Sequence, residues 1–561
     1  MSLDIILLLI FYFLILFAIL GYGRLFNNFV FKNKDVNAGY LGLSGIFFLI
    51  IYSYISHFFI AHSLVHNSIL LIFGNILFFF KVQDLKKKNN HKIFFINFFI
   101  MFLALLLFKT HDDFPYYHFP YTYYLTQSPM LIGIGQFNHG FRTPSSLFYI
   151  NSLFYLPIIK YYSFYIPTLL IMGFANLILL KKILRFNEKI LKDFIFYFSL
   201  LFFIFLNIFF YRLQEHGTDR TAQILTVILL LQIFTFVGFK KNYKEIFNYS
   251  LITLGIIISL KAFYLLYLIL ALPLFFILYL EKKIDFVIYL FKQKIFYIFI
   301  FLLFLIVSIY FFNTGCLIYP APTTCINSLE WSIGSEETSR LKLHYNLWSK
   351  AGKTPNFVID DPELYLKNFN WVSNWISMYF FNKMSDFLLG IFTLIFLIYF
   401  LFYNKNKINH ITKKDFKYIL IIYSFLFVVF IEWFLNHPSL RYGGYVLIAS
   451  LFFIPLCFVL QKFENNNHIS TKKINALLLI TILIFSFRNY SRINNEIDKY
   501  DYQPLKNPYY YVDDNHFRYQ KKFDELINNY YQCKNNKVNC DNKKFKNVRE
   551  LNNGRFIFIR N

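Results

Sequence analysis

Five cysteines occur among 561 residues, and none forms a C-x-x-C pair or any other paired-cysteine spacing of a zinc site, so no structural metal centre is expected. There is no G-x-x-x-x-G-K-[ST] loop and no G-x-G-x-x-G after a strand, so nothing reads as a nucleotide site. The two halves show no convincing internal repeat, which argues against a transporter built from one. The first apolar stretch lacks a basic n-region and a small-residue cleavage site, and is expected to stay as a helix. Acidic residues are scarce, 31 against 56 Lys and Arg, giving a formal net charge of +25. That excess alone would suggest nucleic acid. The basic residues, however, sit in short loops between apolar runs, where they act as orientation signals, so no nucleic-acid partner is expected.

What the chain does have is apolar length. It is 57% hydrophobic and 22% aromatic, with 77 Phe and a mean hydropathy of +0.46. A helix needs about 20 apolar residues to cross a hydrocarbon core of roughly 30 Å. Such runs recur from Leu3 to Phe487, so the expected fold class is an all-α polytopic membrane protein. Fourteen spans are predicted, at 3–20, 38–57, 67–80, 93–108, 162–180, 194–211, 222–239, 248–260, 262–280, 295–312, 386–403, 416–434, 443–460 and 474–487. The apolar segment 147–159 is too short to cross and is expected to lie against the membrane surface.

Loop charge then alternates. Loop 81–92 has five Lys and one Asp, loop 181–193 five basic and two acidic residues, and loop 404–415 four Lys and one Asp; loops 24–37, 240–248, 281–294 and 461–473 each carry a net +2. Loops 109–146, 212–221 and 313–385 are each neutral. The positive set should be cytoplasmic and the neutral set outside. Residues 249–280 test this, because one helix of that length would be about 48 Å long at roughly 1.5 Å per residue. Two shorter spans turning near Lys261 fit both basic flanks and put Lys261 at the outer surface. Four cysteines fall in outer segments, where an oxidising compartment would allow Cys316–Cys325 and Cys533–Cys540 disulfides. Cys457 lies inside a span. Residues 1–487 thus form the transmembrane domain, with outer loops 109–161 and 313–385. Residues 488–561 have 15 basic and 9 acidic residues and read as a small extracytoplasmic domain of two helices or a short sheet, with a preference for anionic lipid heads or acidic glycans.

On this topology five polar clusters share one face. They are Asp112-Asp113 with Gln136, Asn138, His139 and Arg142; the run from Arg212 through Glu215, His216, Asp219 and Arg220; Lys261; loop 313–385; and Asn436-His437 through Arg441 to Gly444. A carboxylate at the membrane surface can take the proton of an acceptor hydroxyl as it attacks. Arg holds phosphate with a bidentate fork and Lys as a point charge. Together they suggest transfer of a group carried by a lipid phosphate, an energy source that needs no nucleotide site.

The acidic pair in a large outer loop, followed by Tyr117-His118-Phe119-Pro120-Tyr121, resembles the GT-C superfamily of polyprenyl-phosphate-dependent glycosyltransferases. Arg441-Tyr442 at the start of a late span ending near Pro455 looks like the Arg-Tyr…Pro element common there. Asp112-Asp113…Tyr117-His118-Phe119-Pro120 with Gly315-Cys316…Tyr319-Pro320…Cys325…Trp331 is similar, more narrowly, to bacterial multi-pass proteins grouped with those enzymes. The resemblance spans roughly residues 90–460. It implies an inverting glycosyltransferase of the bacterial cytoplasmic (inner) membrane, active on the extracytoplasmic side, moving sugar from a polyprenyl-phosphate-linked donor to a glycan, lipid or protein acceptor. By match, Asp112 or Asp113 is the base, and Arg441, with Lys261 and His437, holds the donor phosphate. His111, His118, Glu215, Asp219 and Arg220 would serve the acceptor or an auxiliary role. A divalent metal is the one cofactor left open. The chain departs from the family pattern in having three additional spans before the catalytic loop.

Plainer readings stand beside these. Asp112 and Asp113 could be a solvated helix start, Glu215, Asp219 and Arg220 a surface ion pair, and Arg441 a headgroup anchor among membrane lipids. His57, His62 and His66 are spaced as ordinary interface residues rather than as three ligands on one helix face. Two other functions remain: an O-antigen polymerase or ligase using a diphosphate-linked donor, centred on His437 and Arg441, and a lipid or glycan transporter.

Overall fold

A computed structural model of the chain describes residues 2–31, 37–80, 90–184, 194–213, 217–238, 243–403, 413–463, 467–536, 548–551 and 554–559. Among these the protein is all-α apart from two short antiparallel hairpins, Lys353–Thr354 with Phe357–Val358 and Val548–Glu550 with Phe556–Phe558. Nine helices are long and apolar enough to cross a membrane among the described residues. Four shorter apolar helices, Leu64–Phe79, His91–Leu105, Phe194–Phe209 and Gly444–Leu460, accompany them.

The helices differ in what surrounds them. Ile166–Leu184, Phe194–Phe209 and Tyr243–Leu260 are buried over most of their length, as is the stretch Gly217–Phe236. Their apolar residues are not confined to one stripe, as expected of segments enclosed by other helices. Polar side chains within this inner group pair with each other: Asn176 and Asn207 exchange amide hydrogen bonds at 3.1 Å, and Gln232 donates to Thr253 at 3.0 Å. Ser385–Phe402 and Asn467–Tyr500 leave many large apolar side chains exposed, among them Leu389, Phe396, Leu479 and Leu483. At the amino-terminal side, Leu3–Val30 packs tightly on Ala38–His57 and Leu64–Phe79. A Cβ at Gly21 would lie 2.0 Å from the Gly74 carbonyl oxygen, and one at Gly45 2.0 Å from that of Ile19, so only glycine permits the approach.

The bundle has two chemically distinct ends. At one, Phe29, Tyr243, Lys244, Tyr418 and residues of 281–294 come together: Lys294 lies over Phe29, Lys283 over Tyr243 and Lys244 over Tyr289, and the Tyr418 hydroxyl donates to Glu281 at 2.8 Å. At the other, the long loops interlock. Arg142 donates to Glu337 at 3.0 Å, Gln136 to the Ser332 carbonyl at 2.8 Å, and the Trp375 indole to the Pro438 carbonyl at 2.8 Å. Cys316 and Cys325 are disulfide-bonded in this layer. Cys533 is also disulfide-bonded; Cys540 lies outside the described residues. Cys457 is a buried free thiol.

Three expectations need correction. The segment 147–159 does not form an exposed surface helix. Its helix, Ser146–Ser152, is seven residues long and buried throughout, because it packs between neighbouring helices and its Ser152 hydroxyl meets His62 Nδ1 at 2.6 Å. The histidines near it form a buried polar chain, in which His62 also meets Ser56 (2.9 Å) and His66 meets Asn67 and Tyr52 (2.9 and 2.8 Å). The helix of the last predicted span, which a further helix, Arg518–Asn536, follows, does not stop at 487 but runs without interruption over Asn467–Tyr500. Its polar second half is held by partners elsewhere in the protein, so the onset of polarity is not a helix end. Beyond it the tail covers the first long loop: Phe517 packs on Phe119, Tyr123 and Tyr161, Tyr510 donates to the Tyr161 carbonyl at 2.6 Å, and Phe558 N–H donates to the Ile132 carbonyl at 2.9 Å.

Candidate functional site

Four charged residues far apart in sequence meet at the loop-rich end. Arg441 donates through Nη2 to Asp113 and through Nε to Asp219 at 2.5 Å, and Lys261 Nζ lies 2.5 Å from the other oxygen of Asp219. The order is Asp113–Arg441–Asp219–Lys261, two carboxylates alternating with two cations. Asp219 is 1% exposed, while the side chains of Asp113, Arg441 and Lys261 are 27%, 29% and 22% exposed. The cluster is therefore sealed behind Asp219 and opens at Asp113 and Arg441.

Each member is placed by local structure. Asp219 lies in the first turn of the Gly217–Gly238 helix, where the helix dipole favours a carboxylate. Lys261 stands at the break between the Tyr243–Leu260 helix and the 3-10 segment Ala262–Ala271; its backbone is extended (φ −157°, ψ 147°), and its ammonium lies over the Tyr442 ring at 5.6 Å. Arg441 is carried by the short turn Leu440–Tyr442. Gln223 donates to the Arg441 carbonyl at 3.0 Å, Leu440 N–H donates to the Tyr379 hydroxyl at 2.7 Å, and the Trp433 indole donates to the Ser439 carbonyl at 3.0 Å. The turn closes at Gly443 with φ +101°, a conformation that favours glycine, and a Cβ there would lie 2.5 Å from the Tyr267 hydroxyl. Asp113 precedes the π-helical turn Phe114–His118, which is anchored by Phe114 against Tyr165 (4.7 Å between ring centres) and Tyr510 (5.4 Å).

The electrostatics follow from this packing. Burial tends to raise the Asp113 carboxyl, but Arg441, with His118 and His111, outweighs it and holds Asp113 below the usual carboxylate range. Burial works against the Arg441 cation too, and Asp219 and Asp113 overcome it, leaving Arg441 firmly charged. Burial lowers Lys261, with Asp219 opposing the shift. His118 is pushed down to about 3, chiefly by burial, and is neutral. Its Nε2 is buried with no partner among the described residues, while its ring packs between Tyr117 and Phe148.

Asp112 points elsewhere. It is exposed and lines a cavity of about 440 Å³ together with His111, Lys109, Arg212 and the second half of the Asn467–Tyr500 helix. Neighbouring carboxylates thus serve different surroundings, Asp113 the charge cluster and Asp112 the cavity. The Asp113 N–H donates to His111 Nδ1 at 3.1 Å, so His111 bridges the two.

The remaining candidates separate. Arg220 is not paired with Asp219; its guanidinium lies between the rings of Phe210 (4.4 Å) and Tyr445 (4.1 Å), and the surface ion pair expected there is replaced by a buried one to Arg441 and Lys261. His437 packs edge-on against Phe263 at 4.9 Å and lies 6.1 Å from the Tyr442 ring, beside the cluster rather than in it; burial lowers it to about 4. Glu215 and His216 lie outside the described residues. Among the described residues no group of three or more His, Cys, Asp or Glu is arranged to hold a metal ion. Sequence reasoning placed a span at 474–487 but missed the continuation of the Asn467–Tyr500 helix beyond it. Arg492 donates to the Leu106 carbonyl at 2.6 Å and Glu496 accepts from Phe108 N–H at 2.9 Å, tying that helix to the loop that carries the acidic pair. Residues 488, 492 and 496 recur every fourth position, a helical stripe that continues the preceding span.

The chain belongs to the family described as "Domain of unknown function (DUF8201)", whose model matches residues 5–448. The matched span holds all four members of the charge cluster, whereas Arg488, Arg492 and Lys499 lie beyond it. No curated protein and no solved structure matches the chain.

Proposed function

We propose that this protein is a membrane glycosyltransferase of the GT-C type. It moves a sugar from a polyprenyl-phosphate donor to a hydroxyl acceptor at the outer face of a bacterial cytoplasmic membrane. In this reading the fourteen helical segments are spans, the loop-rich end is extracytoplasmic, and residues 501–561 belong to that outer layer. The observation that carries the reading is the direct pairing of Asp113 with Arg441. A carboxylate fit to act as a base and a cation fit to hold phosphate arrive at one exposed point from opposite ends of the chain.

The pairing also suggests how the site works. With no donor bound, Arg441 keeps Asp113 ionised but weakly basic. A donor phosphate competes for the exposed face of Arg441, and Lys261 supplies a second positive charge beside it. Once displaced from Arg441, Asp113 loses the interaction that lowers its pKa while keeping the burial that raises it, and so becomes a better base. The acceptor oxygen then attacks C1 of the sugar and its proton passes to Asp113. The C1–O bond to phosphate breaks, and polyprenyl phosphate leaves with its new charge facing Arg441 and Lys261. Asp219, buried behind both cations, fixes their positions.

The test is transfer by the detergent-purified chain from a panel of polyprenyl-phosphate monosaccharides. Asp113→Asn should slow turnover by about 10²–10⁴-fold in a protein that still folds, because Arg441 keeps its second partner Asp219 and the melting temperature falls only modestly. A fully active Asp113→Asn protein, or a wild-type protein that consumes no donor in the panel, would refute the reading.

A further inference from the structure

The charge cluster is internally neutral. The cavity beside it is not. Among the described lining residues, five side chains, Lys109, Arg212, Arg488, Arg492 and Lys499, are basic and two, Asp112 and Glu496, are acidic. Five basic against two acidic side chains leave a net positive lining, and Glu496, which accepts a hydrogen bond from the Phe108 backbone, is buried in the wall rather than at the opening. Lys109, Arg212 and Lys499 are exposed. Arg488 is set rigidly: it donates to the Ile208 carbonyl at 2.7 Å, and its guanidinium lies 4.1 Å from the centre of the Tyr211 ring. The cavity wall is thus an arginine fixed by packing, with lysines and a further arginine around the opening.

A concave site whose low-dielectric walls carry charge of one sign concentrates ions of the other. The size matters as well, since about 440 Å³ holds a phosphate or diphosphate group with part of what it is attached to. We infer that this cavity is a binding site for a phosphate-bearing ligand, separate from the Asp113–Arg441–Asp219–Lys261 cluster and on the other side of the acidic pair. The site itself does not depend on the transfer reaction. If the glycosyltransferase reading also holds, Asp112 and His111 place this phosphate next to the base, and the acceptor belongs to the class of phosphate-bearing molecules.

The experiment is equilibrium binding to the full-length, detergent-solubilised protein by calorimetric titration. The probes are inorganic pyrophosphate, dihexanoyl phosphatidic acid and, as the zwitterionic control, dihexanoyl phosphatidylcholine. At least one of the first two should bind, more weakly as salt rises, and the phosphatidylcholine should not. Lys109→Gln combined with Lys499→Gln should weaken binding by about tenfold, because both side chains are exposed and neither makes a described hydrogen bond. Lys367→Gln with Lys506→Gln removes the same charge from exposed positions outside the cavity and should leave affinity unchanged. Phosphatidic acid binding without pyrophosphate binding would identify the ligand as a lipid headgroup, and binding of both would admit a soluble phosphate compound. The inference is overturned if neither anion binds, or if the two double variants lose affinity equally. Neither result bears on sugar transfer, which Asp113→Asn tests separately.

Discussion

The charge cluster and the basic cavity share a wall at Asp112-Asp113 but solve opposite electrostatic problems. In the cluster each cation has a carboxylate within hydrogen-bond reach, and Asp219 is almost wholly buried. In the cavity, basic side chains outnumber acidic ones and three of the five are exposed to water. Buried charges must be compensated where they stand, because removing one partner leaves an uncompensated ion. Exposed charges are compensated largely by water, so a net excess of one sign favours a ligand of the other. The cluster therefore depends on its own integrity, whereas the cavity has charge to spare.

The sharpest way to break this contrast is to neutralise Asp219. Asp219→Asn leaves Arg441 and Lys261 facing each other at the sealed end, and should cost about 3–5 kcal/mol, read as a large fall in melting temperature in detergent. If Asp219→Asn melted like wild type, the cluster would not be the compensated unit described above.

A second test uses pH. His118 has an ordinary value of 6.5 and is held at about 3 in the folded protein. The unfolded chain therefore binds a proton that the folded chain refuses, so stability is full above about pH 6.5 and is lost as pH falls toward about 3. Asp113 acts in the same direction but lower on the scale, since its depressed value preserves stability until the acid is strong. His118→Asn should flatten the melting-temperature profile between these limits, and an unchanged slope would remove His118 from the explanation.

The cavity should respond more mildly. Arg488→Ala loses the Tyr211 stacking and one hydrogen bond, about 1–2 kcal/mol, and Lys109→Gln or Lys499→Gln should leave the melting temperature almost unchanged. The smallest effect belongs to the Arg142–Glu337 pair, which joins two loops in a partly exposed setting. Glu337→Gln should cost about 0–1 kcal/mol, and a larger loss would mean that loop packing, not buried charge, sets stability at this end.

Much of this arrangement could be read from the sequence. Apolar run length marked the helices, and two of the neutral loops did contain the carboxylates that meet in the cluster, Asp113 and Asp219. Lys261 was separable from the apolar run around it because a lone cation there needed a break, and the helix does end at Leu260. What could not be read was pairing. Asp219 and Arg220 are adjacent in sequence and charge, yet one is buried against Arg441 and Lys261 while the other lies between two aromatic rings, a difference set by which helices pack where. The separate surroundings of Asp112 and Asp113 were equally hidden, since they depend on a helix almost 400 residues away. The polarity of that helix beyond Phe487 looked like the end of a span, and only its four-residue spacing marked its continuation.

The measurement closest to the central claim, that Arg441 is where a lipid phosphate docks, is native mass spectrometry of the detergent-purified protein and of Arg441→Ala. A bound mass equal to a polyprenyl monophosphate, with or without one sugar, is expected on the wild type and should be absent from Arg441→Ala. The same bulk phospholipids on both proteins, with no polyprenyl species on either, would contradict it.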